Sequence, residues 1–201
     1  MFKIRLIFLF SITFCFYGCD IGQTEINDLT DYAKSYGAYK VGSYWIFQND
    51  SDLIQDSIFV TKLWHKYRPY NHDNDIERAE EIYCRLKSSL FNSADLIIEL
   101  NSHDGIYYRF FGLYFACRYN KNESSLKTYP GKPTIIYHDT LNVNGKIFNP
   151  CYQIIQPYDS THDFNKLNAF LVSNIGLVKW TIHNNDSSIE SWSLIRSKII
   201  F

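Results

Sequence analysis

Ile82-Tyr83-Cys84-Arg85-Leu86-Lys87 decides the fold class. Ile, Cys and Leu alternate with Tyr, Arg and Lys, the period-two signature of a strand with one face in a core and the other in water. The pattern points Cys84 inward. Downstream, Leu96, Ile98 and Leu100 alternate with Ile97 and Glu99 until Asn101-Ser102-His103-Asp104-Gly105 stops the run. Asp-Gly after polar residues is a strong turn signal. Ile106 to Tyr119 is apolar or aromatic on both faces apart from Arg109 and Arg118, which predicts one long strand buried on both sides or with one face meeting a cavity or partner. Upstream, Tyr67 to Asp75 holds Pro69, two Asn and two Asp and reads as a loop. Ile58 to His65 and Tyr44-Trp45-Ile46-Phe47 read as strands joined by a hairpin-type loop.

The C-terminal half repeats the rhythm. Ile135 to Leu141 and Lys146 to Gln156 flank Asn142-Val143-Asn144-Gly145, and Asn144-Gly145 suits a tight hairpin because both residues tolerate positive φ. Pro150 inside the second run implies an edge strand or a bulge. Val178, Trp180 and Ile182 alternate with Lys179, Thr181 and His183, and Trp192 to Phe201 ends the chain. About ten strands at regular spacing, without a sustained amphipathic helix, predict an all-β sandwich or barrel in one domain. Aromatic residues, 17% of the chain, favour the same pleated, half-buried surfaces. Trp45, Trp180 and Trp192 fall at alternating positions suited to a core, and Gly42 and Gly176 fall where turns meet strands.

The N-terminus says where such a domain works. Lys3 and Arg5 precede an apolar run from Leu6 through Tyr17, ending at Gly18-Cys19. A basic head, a short apolar core and a small residue before the cut form a secretory signal pattern. Gly18-Cys19 resembles the lipobox of bacterial lipoproteins, with Phe16 and Tyr17 where Leu and a small residue are usual. That resemblance implies a signal peptide over 1–18 and a lipidated Cys19 as the mature N-terminus. Residues 19–38 then read as a tether with a short helix near Asn27 to Tyr36, capped by Asn27 or Thr30, and 39–201 as the β domain.

Two further stretches carry a family resemblance. Lys40-Val41-Gly42-Ser43-Tyr44-Trp45-Ile46-Phe47, followed by Asp56-Ser57-Ile58, resembles the opening hairpin of small envelope lipoproteins of Bacteroidota. Gly176-Leu177-Val178-Lys179-Trp180 with Trp192-Ser193-Leu194 resembles their closing hairpin. The resemblance implies an antiparallel curved sheet, a half-barrel or barrel of about ten strands, similar in outline to lipoprotein-localisation factors. It brings no catalytic residues. Asp20-Ile21-Gly22-Gln23 lacks the clustered acids that resemble a surface-export tag, which implies an outer-membrane protein facing the periplasm. Asp56-Ser57-Ile58, Asp139-Thr140-Leu141 and Asp159-Ser160-Thr161 fit a short O-glycan acceptor pattern of that phylum, but the preferred reading at each is the bland one of a strand hydroxyl beside an acid.

Motifs of chemistry are missing from the sequence. The six histidines lack metal-pair spacing, and there is no H-E-x-x-H, nucleophile elbow, phosphate loop or dinucleotide fingerprint. Neither cofactor nor metal is expected. Without Lys3 and Arg5 the mature chain carries 18 basic against 21 acidic residues, a net of −3, and no dense Lys/Arg stripe. Nucleic acid is therefore not an expected partner. Cys84, Cys117 and Cys151 read as three buried thiols, with one disulfide as the alternative. Glu77, Glu80 and Glu81 read as a solvated strand or helix start, with a catalytic acid pair the lesser alternative. His72-Asp73-Asn74-Asp75 reads as a polar turn, with calcium the lesser alternative. The expected role is a lipid-anchored, non-enzymatic binding or structural module for an apolar ligand or a protein partner. Tyr107, Tyr108, Phe110, Phe111, Tyr114 and Phe115 are the candidate ligand wall. The alternative is an envelope hydrolase whose site is assembled from scattered residues such as His103, Asp104 and Arg109.

Overall fold

The computed structural model describes residues 26–72, 75–90, 96–102, 105–110, 113–120, 125–127, 133–157 and 164–201. After β1 (Ile26–Asn27) comes the one-turn helix α1 (Asp31–Lys34), then β2 (Tyr44–Asn49), β3 (Gln55–His72), β4 (Asp75–Ser88), β5 (Leu96–Asn101), β6 (Gly105–Phe110), β7 (Leu113–Asn120) and β8 (Ser125–Lys127). The second half holds β9 (Thr134–His138), β10 (Leu141–Val143), β11 (Lys146–Phe148), β12 (Cys151–Pro157), β13 (Phe164–Val172), β14 (Gly176–Asn184) and β15 (Ile189–Lys198). The order across the main sheet is β8-β7-β6-β5-β4-β3-β2-β15-β14-β13-β12-β9, with β1 beside β4 and β10–β11 as a separate hairpin. A ten-strand antiparallel body curls through 269° without closing, so the protein is an all-β open half-barrel.

Two meanders build this sheet, and the pairing of β2 with β15 joins them. Register shifts between Val60 and Lys62, Phe164 and Lys166, Phe170 and Leu171, and Leu194 and Arg196 interrupt the pleat, and such irregularities increase local twist. Even positions of β4 from Glu80 to Ser88 and odd positions of β2 are buried on the inner face. Trp45, Trp180 and Trp192 are buried there as expected. Phe47 meets Trp180 edge-on at 4.6 Å, and Trp180 stacks on Trp192 at 5.8 Å. Asn144 and Gly145 both take positive φ, which makes the two-residue turn of β10–β11 that their side chains favour.

Several sequence expectations need correction. Residues 67–72 belong to β3, not to a loop, and pair with β4 through the last pair, His72–Asp75. Beyond Phe59, β3 has no partner strand on its β2 side among the described residues, and such an edge is where a strand admits a proline like Pro69. Ile106 to Tyr119 is not one long strand but the β6–β7 hairpin, in which Phe110 pairs Leu113. The run from Lys146 to Gln156 is broken at Pro150 into β11 and β12, and β12 lies between β13 and β9 rather than at an edge. The sheet is not wholly antiparallel, since β1 pairs β4 in parallel.

The segment read as a tether also differs. Thr30, the rival cap, is the one used: its hydroxyl accepts from the Ala33 amide at 3.2 Å. From Leu29 onward the chain enters the concave face. Leu29, Ala33, Tyr36 and Tyr39 are buried in the main core, so residues 26–38 are part of the domain's packing. The Cys84 thiol contacts the Gly37 carbonyl at 2.8 Å, and the Tyr108 hydroxyl donates to the Tyr36 carbonyl.

Gly176 starts β14 at φ 85°, and a Cβ there would meet the buried Tyr39 hydroxyl at 2.7 Å. Gly145 shares the positive φ at 80°, but a Cβ there meets nothing within 4 Å. Gly145→Ala should cost about 1 kcal/mol, the backbone strain alone. Gly176→Ala adds a clash against a full core and should cost roughly 2–4 kcal/mol. Urea midpoints with unchanged slopes check the pair, and equal losses would refute the close packing of Tyr39 beneath β14.

Candidate functional site

The two faces of the half-barrel differ in what they have left to offer. Inside, the chain's own segment fills the concavity. Tyr36 and Tyr39 are fully buried, and Tyr32 closes a hydroxyl network with Tyr36 and Tyr152, each 3.2 Å away. Burial holds the Tyr32 and Tyr39 phenols well above their ordinary values, so both stay neutral. The Glu80 carboxylate, 1% exposed, ties the segment down. It accepts from the Leu29 amide at 2.6 Å and lies 3.0 Å from Lys34 and 2.8 Å from His65.

Outside, a cleft of about 300 Å³ opens over the middle of β3–β5, lined by Trp64, Lys66, Arg68, Tyr83, Arg85 and Ile97. Register puts these side chains together. Lys62 pairs Arg85, Trp64 pairs Tyr83 and Lys66 pairs Glu81, while Ile97 lies opposite Arg85 on the far side. Because strand side chains alternate, the set shares the outer face. The Lys62 ammonium sits 4.5 Å over the Trp64 ring, the Arg85 guanidinium 5.4 Å over the same ring, and the Lys66 ammonium 4.8 Å over Tyr83. Glu81, buried beneath them, accepts from Arg68 Nε at 2.8 Å and Asn101 at 3.2 Å, with Lys66 at 3.5 Å. The Tyr83 hydroxyl donates to Glu99 at 2.9 Å. Burial first, and Glu99 second, hold that phenol above its ordinary value, so it remains a donor.

Glu80 and Glu81 therefore correct the reading of a solvated strand start. Both are buried, one on each face, because each has gathered cationic and hydrogen-bonding partners.

The residues expected to form a site separate. Tyr108 is a core residue facing inward, while Tyr107 is half-buried and Arg109 exposed on the outer face of β6. In the backbone register Phe110 pairs Leu113, Tyr114 pairs Arg109 and Phe115 pairs Tyr108. Phe111, His103, Asp104 and Cys19 lie outside the described residues, as do Asp73 and Asn74. Ser57 is half-buried and Thr140 exposed. Among the described residues no cluster of three His, Cys, Asp or Glu side chains is placed to hold a metal ion. The cleft residues were missed, although Lys62-x-Trp64-x-Lys66-x-Arg68 and Tyr83-x-Arg85-x-Lys87 each carry the signal of one outward strand face.

No family model, curated protein or solved structure matches this chain.

Cys84 and Cys151 are free and buried, and burial pushes both thiols up to about 12. Such thiols are inert. In the unfolded chain a thiol ionises near 9. Between these values the unfolded state sheds a proton that the folded state keeps, so stability falls as pH rises through that window. For Cys84 the slope approaches at most about 1.4 kcal/mol per pH unit. Iodoacetamide at pH 8 should leave Cys84 and Cys151 unmodified until urea unfolds the protein, read by peptide mass spectrometry. Rapid native labelling of either would contradict the burial.

Proposed function

We propose that this chain is a lipid-anchored protein of the bacterial cell envelope, held through Cys19, that acts as a non-enzymatic binding module through the outer face of its half-barrel. One observation carries the choice of face. The concavity is occupied by Leu29, Ala33, Tyr36 and Tyr39, whereas the outer face holds an open cleft of about 300 Å³ with aromatic walls and cationic ends. An apolar ligand on the inner face would have to displace four buried side chains, at a cost of roughly 1.5–3 kcal/mol for each large one. A ligand on the outer face displaces only water.

The envelope location is supported by the basic head, apolar run and Gly18-Cys19 ending of the leader, and by the two hairpin motifs that resemble small Bacteroidota lipoproteins. Seven residue steps separate Cys19 from Ile26, the first residue of β1. Seven residues at full extension reach at most about 25 Å. The domain therefore works within one protein diameter of the bilayer.

Cys19→Ala tests the anchor. The wild-type protein should stay with membranes through a high-salt wash, because a lipid anchor is insensitive to screening. The Cys19→Ala protein should be unprocessed or soluble, and released once its leader is exchanged for one that is cut independently of Cys19. Salt-resistant membrane association of that variant would contradict the proposal.

A further inference from the structure

We propose that the outer cleft is a docking site for the phosphate headgroups of anionic lipid in the membrane that anchors the protein. The inference rests on the lipid-anchored reading above.

The first argument is how the cations are held. An ion-paired lysine or arginine has already spent its charge on a carboxylate. Lys62 and Arg85 are held differently, by the face of Trp64. Among the described residues neither has a carboxylate partner, so each keeps its full charge while the ring fixes its place. Lys66 rests on Tyr83 and shares Glu81 with Arg68. Lys66, Arg68 and Arg85 line the cleft with Lys62 beside them on Trp64, against the two carboxylates Glu81 and Glu99, so cations outnumber acids four to two. Such pre-positioned, undercompensated cations suit an anion that brings several acceptor oxygens. Arginine forks match phosphate.

The second argument is spacing. Along β4 the pair Lys66–Glu81 and the pair Lys62–Arg85 are four residues apart. That is roughly 13 Å, room for two neighbouring headgroups rather than one small anion. Trp64 and Tyr83 stand between the two ends, and these are the side chains that settle at the headgroup level of bilayers.

The third argument is where the chain goes. β1 pairs Arg78 and Ala79 of β4, and Ala79 is the partner of Arg68 at the end of the cleft. Ile26 therefore lies beside that end, and the seven residue steps back to Cys19 span at most about 25 Å. The anchor therefore brings the cationic face to the bilayer surface, although the mature chain as a whole is acidic.

The soluble Cys19→Ala protein without the leader, residues 19–201, allows docking to be measured without the anchor. It should co-sediment at low salt with phosphatidylcholine vesicles containing phosphatidylglycerol, and not with pure phosphatidylcholine. Each cation removed should weaken binding about fivefold, so Lys62→Gln with Arg85→Gln should weaken it more than tenfold. Lys146→Gln, on the remote β10–β11 hairpin, should leave it unchanged. All variants should melt with the parent, since these side chains are exposed.

Equal binding to both vesicle types, or no effect of the double variant, would overturn the proposal. Binding of inorganic phosphate or glycerol phosphate by calorimetry without vesicle binding would also overturn it, and would assign the cleft to a soluble ligand. None of these results bears on the anchor. Salt-resistant retention of the wild type but not of Cys19→Ala would still stand.

Discussion

A sheet that curls through 269° and stays open creates an apolar inner face that must be covered. This chain covers it with its own residues 29–39. Tyr36 and Tyr39 are wholly buried, Ala33 lets the one-turn helix approach the sheet, and Gly37 sits where a Cβ would strike Ile98 at 2.6 Å. The segment is too short to be a stable helix alone. It is held by what it touches: the Glu80 carboxylate on the Leu29 amide, the Asn174 amide on the Ser35 carbonyl, and the Tyr39 ring against Trp45. With the inner face covered from within, the open cleft over β3–β5 lies on the convex side.

Consecutive acids on β4 serve both sides at once. Glu80 points in and fixes the filling segment, while Glu81 points out and gathers Lys66 and Arg68. The period-two geometry of a strand makes this division unavoidable. It also links core to surface, since a register slip of one residue would send each carboxylate to the wrong face. The long β3–β4 pairing, which runs from Ile58–Ser88 to His72–Asp75, is what fixes that register.

Much of the architecture is legible in local pattern. Ile82 to Lys87 reads as a strand because neighbours on one face share one environment, and Asn144-Gly145 reads as a hairpin because positive φ is a local demand. The tryptophans of β2, β14 and β15 announce the core. What escapes local pattern depends on pairing between distant strands. Pro69 argues for a loop until the missing neighbour of β3 is seen. The aromatic run after Ile106 hides its own reversal between Phe110 and Leu113. No Lys/Arg stripe exists along the chain, because alternation dilutes it. Lys62, Lys66 and Arg68 become a cationic face only when β4 brings Arg85 alongside. The inward role of residues 29–39 is equally non-local: Leu29, Ala33 and Tyr36 show a helical spacing, but nothing in it says which surface they meet.

Hydrogen–deuterium exchange of the native protein tests the central claim most directly, that this segment is core rather than tether. The amides of Lys34, Ser35 and Ala38, bonded to Thr30, Asp31 and Lys34, should exchange as slowly as those of β4 around Cys84, because both would open only when the domain unfolds. Exchange of residues 33–39 within seconds, while β4 stays protected for hours, would show an inner face that opens on its own and would contradict the account.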